Sequence, residues 1–191
     1  MPTTAQTRLM PTKATALAAG PGIGTSQTTK ETFQRLMQDW GKPLTVDADA
    51  LNLLSESTEL LNLLPQGSLL TPHVGEFERL IKKSTSNDFE RLGEQKALSK
   101  ILNCIILLKG AFTKITTPEG RVWVNPTGNA GMAKGGSGDI LTGLIAGLAA
   151  RGHSMEDSAV IGAYLHGLAG DLCAQTLGME AMHASDIIEA I

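Results

Sequence analysis

From Thr15 onward the chain alternates two kinds of apolar pattern. Four short runs are continuously apolar: TALAAG ending at Gly20, PLTVDAD from Pro43, GSLLTP from Gly67 and CIILLKG from Cys104. Such runs suit parallel strands that are buried on both faces. Two further runs, TKITT near Thr113 and RVWVN near Arg121, alternate apolar with polar around Pro-Glu-Gly, which predicts a hairpin. Helical patterns fill the intervals. Thr28 with Glu31 reads as a capping box opening a helix that stops before Gly41. ALNLLSESTELLNLL reads as one helix ending at Pro65. GEFERLIKK from Gly75 and DFERLGEQKALSKIL from Asp88 follow, the second with Arg91 and Glu94 on a solvated face. DILTGLIAGLAARG ends at Gly152, a suitable glycine just past a helix. MEDSAVIGAYLHGLAGDLCAQTLG and SDIIEAI complete the series, with Ser185 as N-cap of the last. The alternation predicts an α/β fold: a mostly parallel central sheet with helices on both faces. Residues 1–191 show no repeat, linker or low-complexity tract and read as one domain.

Composition narrows the function classes. Of 191 residues, 42% are hydrophobic and 18% charged, within the range of folded globular chains. A net charge of −3 with scattered Lys and Arg gives no basic face for nucleic acid. ILTGLIAGLAA, the longest apolar helical candidate, is too short to span a bilayer. The lead MPTTAQTRLMPTK has no apolar signal-peptide core. Two distant cysteines, Cys104 and Cys173, form neither a disulfide framework nor a zinc pattern, and point to a reducing, cytoplasmic setting.

The candidate chemistry concentrates in GNAGMAKGGSGDILTG. Gly135, Gly136 and Gly138 allow backbone N–H groups to converge, and the following helix adds its free first-turn amides and positive dipole end. Together these suit phosphoryl oxygens. Asp139, in the first helical turn, is placed to accept a proton from a hydroxyl beside the phosphate. A Walker A loop requires Lys where Asp139 stands. A nucleophile elbow requires Gly there, which argues against Ser137 as a nucleophile.

Other strand ends add candidates. GPGIG, Gly20–Gly24, is either a tight strand-to-helix turn or a ligand wall. Asp47 and Asp49 either cap the next helix or hold Mg²⁺ through water. His73 precedes a helix, and Lys109 with Gly110 ends a strand, where a lysine can bind phosphate. His166, in HGLAG, reads as helix packing, as do Gly143 and Gly147. The histidines and cysteines show no metal-ligand spacing, so no side-chain metal site is expected.

In this order, GPGIG, VDADALN, LTPHVGEFERL, LLKG, GNAGMAKGGSGDILTGLIAGLAARG and YLHGLAGDL resemble the ADP-dependent (S)-NAD(P)H-hydrate dehydratases. The resemblance runs from about Ala18 to Ile191 and implies a ribokinase-like three-layer sandwich of the carbohydrate-kinase type. It implies that hydrated NADH or NADPH, S epimer, is phosphorylated by ADP (or ATP) with Mg²⁺ and then loses phosphate. It carries Asp139 as catalytic base and substrate contact, Gly24 and His73 as substrate contacts, and Lys109, Gly110, Ala111, Phe112 and Thr113 as the nucleotide site. Asn129, Gly135, Gly136, Ser137 and Gly138 would add nucleotide and phosphate contacts. The resemblance also implies an NAD(P)HX epimerase domain, fused or paired. Val74 departs from the family pattern, which has Pro there. Family members also carry further sequence ahead of GPGIG, so the chain is expected to be the later part of such a domain, missing its N-terminal portion and exposing a sheet edge. Self-association follows as an expectation. Two other readings stand beside it: a related kinase acting on hydroxymethylpyrimidine or hydroxyethylthiazole, and a non-catalytic nucleotide-binding or assembly fragment.

Overall fold

A computed structural model describes residues 13–191; nearly all of the polar lead lies outside the described residues. Among the described residues six strands form one sheet in sequential order: β1 (Ala18–Ala19), β2 (Thr45–Val46), β3 (Leu69–Leu70), β4 (Ile105–Leu108), β5 (Lys114–Thr116) and β6 (Val122–Val124). β1 to β4 run parallel, whereas β4, β5 and β6 pair antiparallel, with Leu107 opposite Ile115 and Ile115 opposite Trp123. The expected strands and hairpin are all present, and β1 and β6 are the sheet edges.

Sequential parallel order has a consequence. Crossovers between adjacent parallel strands share one hand, so their helices all fall on one face. That face carries α1 (Gln27–Trp40), α2 (Ala48–Glu56), α3 (Thr58–Leu63), α4 (Val74–Ile81) and α5 (Asp88–Leu102). Its core joins Phe33, Met37 and Trp40 of α1 and Leu51 and Leu54 of α2 to Val46, Leu70 and Ile106 of the sheet. The opposite pleat, Leu69, Ile105, Leu107 and Ile115, must be covered by chain that follows the hairpin. It packs on Leu141 and Ile145 of α6 (Ser137–Ala150) and Ala159 and Ala163 of α7 (Met155–Leu177). α8 (Ala184–Glu189) closes a smaller cluster around Cys173, Met182 and Ile187. No described helix is long and apolar enough to cross a membrane.

Several sequence expectations are corrected at helix ends. Ser26, not Thr28, caps α1 by accepting from the Thr29 N–H at 3.2 Å. Gly41 closes that helix in the left-handed region, as expected. The long leucine-rich helix is two: Ser57 is extended, and its hydroxyl accepts from Leu60 N–H to start α3. His183 rather than Ser185 sits at the N-cap of α8. Arg91 is half-buried and bonds to Asp88 and Thr85, while Glu94 pairs with Lys83. Gly143 and Gly147 face open space, so they make no tight helix contact.

Candidate functional site

Parallel strands bring their C-terminal ends to one rim, and β1 to β4 therefore deliver Gly20, Asp47, Thr71–His73 and Lys109 to the same side of the molecule. At Gly20 (φ 143°) a Cβ would stand 1.7 Å from the Asp47 carbonyl oxygen. Only glycine permits the β1 turn to lie so close to β2. Four residues on, Gly24 donates its N–H to Asp49 Oδ2 at 2.8 Å. GPGIG is thus a turn docked against the β2 end.

Asp47 occupies the N-cap position of α2 yet makes no capping bond with its side chain. It is 1% exposed. Oδ1 accepts from the Lys109 ammonium at 2.7 Å, and Oδ2 accepts from the Thr142 hydroxyl at 2.7 Å. The next residue, Ala48, adopts φ 47°, a left-handed conformation that a non-glycine residue adopts at a cost of about 1–2 kcal/mol. Lys109 is held on its backbone too, donating to Pro72 O at 2.8 Å.

α6 begins at Gly136, whose φ of 90° turns the chain into the helix. Gly138 lies at the closest approach to the buried pair. A Cβ there would be 3.4 Å from Lys109 Nζ and 3.9 Å from Asp47 Oδ2. Ser137, also buried, shares a 3.3 Å hydrogen bond with His166 Nε2 from α7. Burial, aided by the Lys109 charge, holds the His166 imidazole below its usual pKa, with Ser137 opposing. His166 is therefore more than helix packing: it is a buried wall of the site.

A second wall is the segment 125–134. Asp171 of α7 accepts from Gly128 N–H and from Asn129 Nδ2, both at 2.9 Å. Thr127 Oγ1 donates to Tyr164 O at 3.0 Å, and Asn125 Nδ2 donates to Ala163 O at 3.1 Å. Asn129 Oδ1 in turn caps a 3-10 turn, Ala130–Met132. Lys134 Nζ donates to the carbonyls of Glu180 and Met182, each at 2.6 Å, tying the glycine loop to the approach of α8.

These walls enclose a cavity of about 830 Å³. It brings together eight of the sequence candidates: His73, Lys109, Gly110, Ala111, Thr113, Asn129, Ser137 and Gly138. The other candidates do not line it. Gly24 is engaged with Asp49, and Gly135 and Gly136 are exposed in the turn before α6. Asp139 is exposed immediately beside Gly138. Phe112 is 63% exposed and borders an adjoining hollow of about 160 Å³ with Asp88 and Arg91, which shares Lys109, Gly110 and Ala111 with the cavity. His73 combines two tasks. Its Nδ1 accepts from Glu76 N–H at 3.3 Å in a reciprocal capping box, while its ring stays half exposed at the cavity mouth. Sequence reasoning missed Lys134, His166, Thr142 and Asp171. Of these, only Lys134, adjoining the glycine loop, carried a local signal.

Sheet, helices and glycine-initiated α6 define a ribokinase-like α/β protein. The chain belongs to the NAD(P)H-hydrate dehydratase family, whose carbohydrate-kinase-type model matches residues 1–191. It is 44% identical over 174 residues to a bifunctional NAD(P)H-hydrate repair enzyme of Moorella thermoacetica, covering 91% of this chain and 33% of that protein. With an ADP-dependent (S)-NAD(P)H-hydrate dehydratase of Neisseria meningitidis it shares 35% identity, over 87% of this chain and 57% of that protein. The crystal structure of an ADP/ATP-dependent NAD(P)H-hydrate dehydratase from Bacillus subtilis, co-crystallized with ATP/Mg²⁺, superimposes with a TM-score of 0.81 at 30% identity. That match covers 92% of this chain and 62% of the Bacillus chain. The chain therefore spans between a third and about three-fifths of the length of these relatives.

Proposed function

We propose that this chain performs nucleotide-dependent dehydration of the S epimer of hydrated NADH or NADPH, with ADP as phosphoryl donor. The observation that carries the reading is the meeting of Lys109, Asn129 and the Gly138 end of α6 around one large cavity, with the exposed Asp139 the next residue along the helix. Its volume lies within the range of small-molecule sites.

The substrate hydroxyl attacks the terminal phosphorus of ADP, the bond to the bridging oxygen breaks, and its electron pair leaves with AMP. Asp139 accepts the hydroxyl proton. Amides at the start of α6 and the Lys109 ammonium stabilise charge on the moving phosphoryl group. Hydroxide, a poor leaving group, has become phosphate. The carbon–oxygen bond then breaks with its electrons going to phosphate, a neighbouring carbon gives up a proton to the departing phosphate, and the ring double bond is restored. Among the described residues no group of three or more His, Cys, Asp or Glu is placed to hold a metal. Both oxygens of Asp47 are already engaged. This donor set fits Mg²⁺ carried on the nucleotide phosphates, where it would neutralise phosphate charge.

The ADP-dependent Neisseria relative supports ADP as donor, and the bifunctional Moorella relative supports an epimerase partner, fused or separate. The proposal includes residues 1–191 acting as part of one ribokinase-like domain, in the cytoplasm, where the two unbridged cysteines are stable. It also includes self-association, supported by exposed Leu165, Leu168 and Leu172 on α7 and Trp123 on the edge strand β6. The test is turnover of hydrated NADH with ADP, followed as the return of NADH absorbance. Wild-type turnover with a loss of at least about 100-fold in Asp139→Asn is the expected result. Undiminished turnover in Asp139→Asn removes the base assignment, and absence of turnover in the wild type removes the dehydratase reading.

A further inference from the structure

Asp47 is the most completely buried ionisable group at the rim, and the reaction as derived gives it no task. An unpartnered carboxylate in that position would be strongly destabilising. It is instead fully engaged, by one hydrogen bond to each oxygen, and the two donors come from opposite parts of the site. Lys109 belongs to the end of β4, and Thr142 to the second turn of α6. β3 lies between β2 and β4 in the sheet, so the Asp47 and Lys109 side chains reach across its end to meet.

Thr142 and Gly138 are four residues apart on α6 and so share a face, the one turned toward the pair. The Gly138 contact with Lys109 shows the same approach from the backbone side. An ammonium group has three N–H donors, and Asp47 takes one. Lys109 remains 23% exposed at the side chain and lines the cavity. The left-handed Ala48 fixes the backbone that carries the carboxylate.

We infer that Asp47 is a positioning residue: with Thr142 it holds the Lys109 ammonium against the anion-binding first turn of α6, so that cation and amides bind the same phosphoryl group of a nucleoside diphosphate. The inference rests on the nucleotide-dependent reading above. Asp47 acts through Lys109 and touches no reactant. Asparagine in its place accepts through only one atom and presents an N–H₂ where the second acceptor was, so one of the two bonds is lost. A displacement of about 1 Å in a group that orients a reacting phosphate costs on the order of 100-fold in rate.

The experiment measures ADP affinity by calorimetry, and kcat and KM for ADP in the dehydration assay, with the full chain. The variants are Asp47→Asn, Thr142→Val, Thr142→Ser, Lys109→Met and the double variant Asp47→Asn/Lys109→Met. Expected are a 10- to 100-fold loss of kcat/KM for Asp47→Asn and a smaller loss for Thr142→Val, with Thr142→Ser within about twofold of wild type. The double variant should be no worse than Lys109→Met alone, because residues acting as a unit are not additive. Multiplicative losses, or wild-type kcat/KM and ADP affinity in Asp47→Asn, overturn the inference. If Asp47→Asn fails to fold, Thr142→Val against Thr142→Ser decides it. If hydrated NADH is not turned over but ADP binds, the dehydratase reading fails alone and the affinities of the same variants still judge Asp47. Absence of ADP binding in the wild type overturns both.

Discussion

Gly167→Ala tests how rigidly the segment 125–129 is seated on α7. Gly167 lies within α7 and lines the cavity, and its missing Cβ is the space into which Thr127 fits. A methyl group there would stand 2.2 Å from Thr127 Oγ1, 2.7 Å from Thr127 C and 2.8 Å from Thr127 O. Carbon contacts settle near 3.5 Å or beyond, so the segment must lift by roughly 1 Å. That lift breaks the Thr127–Tyr164 and Asn125–Ala163 hydrogen bonds. Each is worth about 0.5–1.5 kcal/mol, giving about 2–3 kcal/mol when the worse packing is included. Alanine returns about 1 kcal/mol of helix propensity. The net loss is about 1–2 kcal/mol, which for a chain of this length lowers Tm by roughly 2–8 °C. Thermal unfolding by circular dichroism reads this directly, and ADP titration should show weaker binding because Thr127, Gly128 and Asn129 line the same cavity. The sign is decisive. If the segment had slack, the propensity gain alone would raise Tm, and an unchanged or raised Tm refutes the reasoning. Adding Thr127→Ala should not restore stability, since two of the three obstructing atoms are backbone. Restoration would show that only the hydroxyl stood in the way.

Two further outcomes follow from ionisation. Burial lowers the His166 pKa in the folded state, so as pH falls below about 6.5 the unfolded chain takes up a proton before the folded one does. Stability should therefore fall on acidification through that window, and His166→Gln should flatten this part of the profile in urea titrations at pH 5 to 7. An NMR titration placing the His166 midpoint at or above 6.5 would contradict it. Burial pushes the Cys104 thiol up to about 12, so native protein should leave it unmodified by a thiol reagent at pH 8 and denatured protein should not. Rapid labelling of native Cys104, located by mass spectrometry, would refute the burial argument.

β2, β3 and β4 were legible because each is buried on both faces and so reads as an unbroken apolar run, a property of the strand alone; β1, half-buried at the sheet edge, carries the same apolar signature. The hairpin was legible for the complementary reason: the β5 and β6 runs alternate about a turn. Helix ends were harder. Ser26, Thr28 and Thr29 all offer hydroxyls within one turn, and only the path out of the docked GPGIG loop selects Ser26. At Ser57 the leucine spacing continues undisturbed through a break that a serine's own hydrogen bond creates. His183 at a cap was overlooked because Ser185, two residues on, is the commoner capping type.

The site divides along the same physical line. Backbone properties are local, and the glycine turn at Gly136 and the free amides of α6 could be read from GGSGD itself. The side-chain network is not local. Asp47 and Lys109 are 62 residues apart, Asp47 and Thr142 95 apart, and Ser137 and His166 29 apart. Parallel strands gather their ends at one rim however distant they are in sequence, so partners there are assigned by strand order. DAD opens a helix, and an acid at a helix start stabilises it whichever way its side chain turns. Sequence alone therefore left capping and metal binding open for Asp47. Burial decides against capping, because a carboxylate 1% exposed must find strong donors, and Lys109 and Thr142 are the donors that the fold brings to it. Asp171 is used in the same way on the other wall, holding Gly128 and Asn129. Each wall of the cavity is thus pinned by one carboxylate, and α6 reaches both: through Thr142 to Asp47, and through Ser137 to His166 on the helix that carries Asp171.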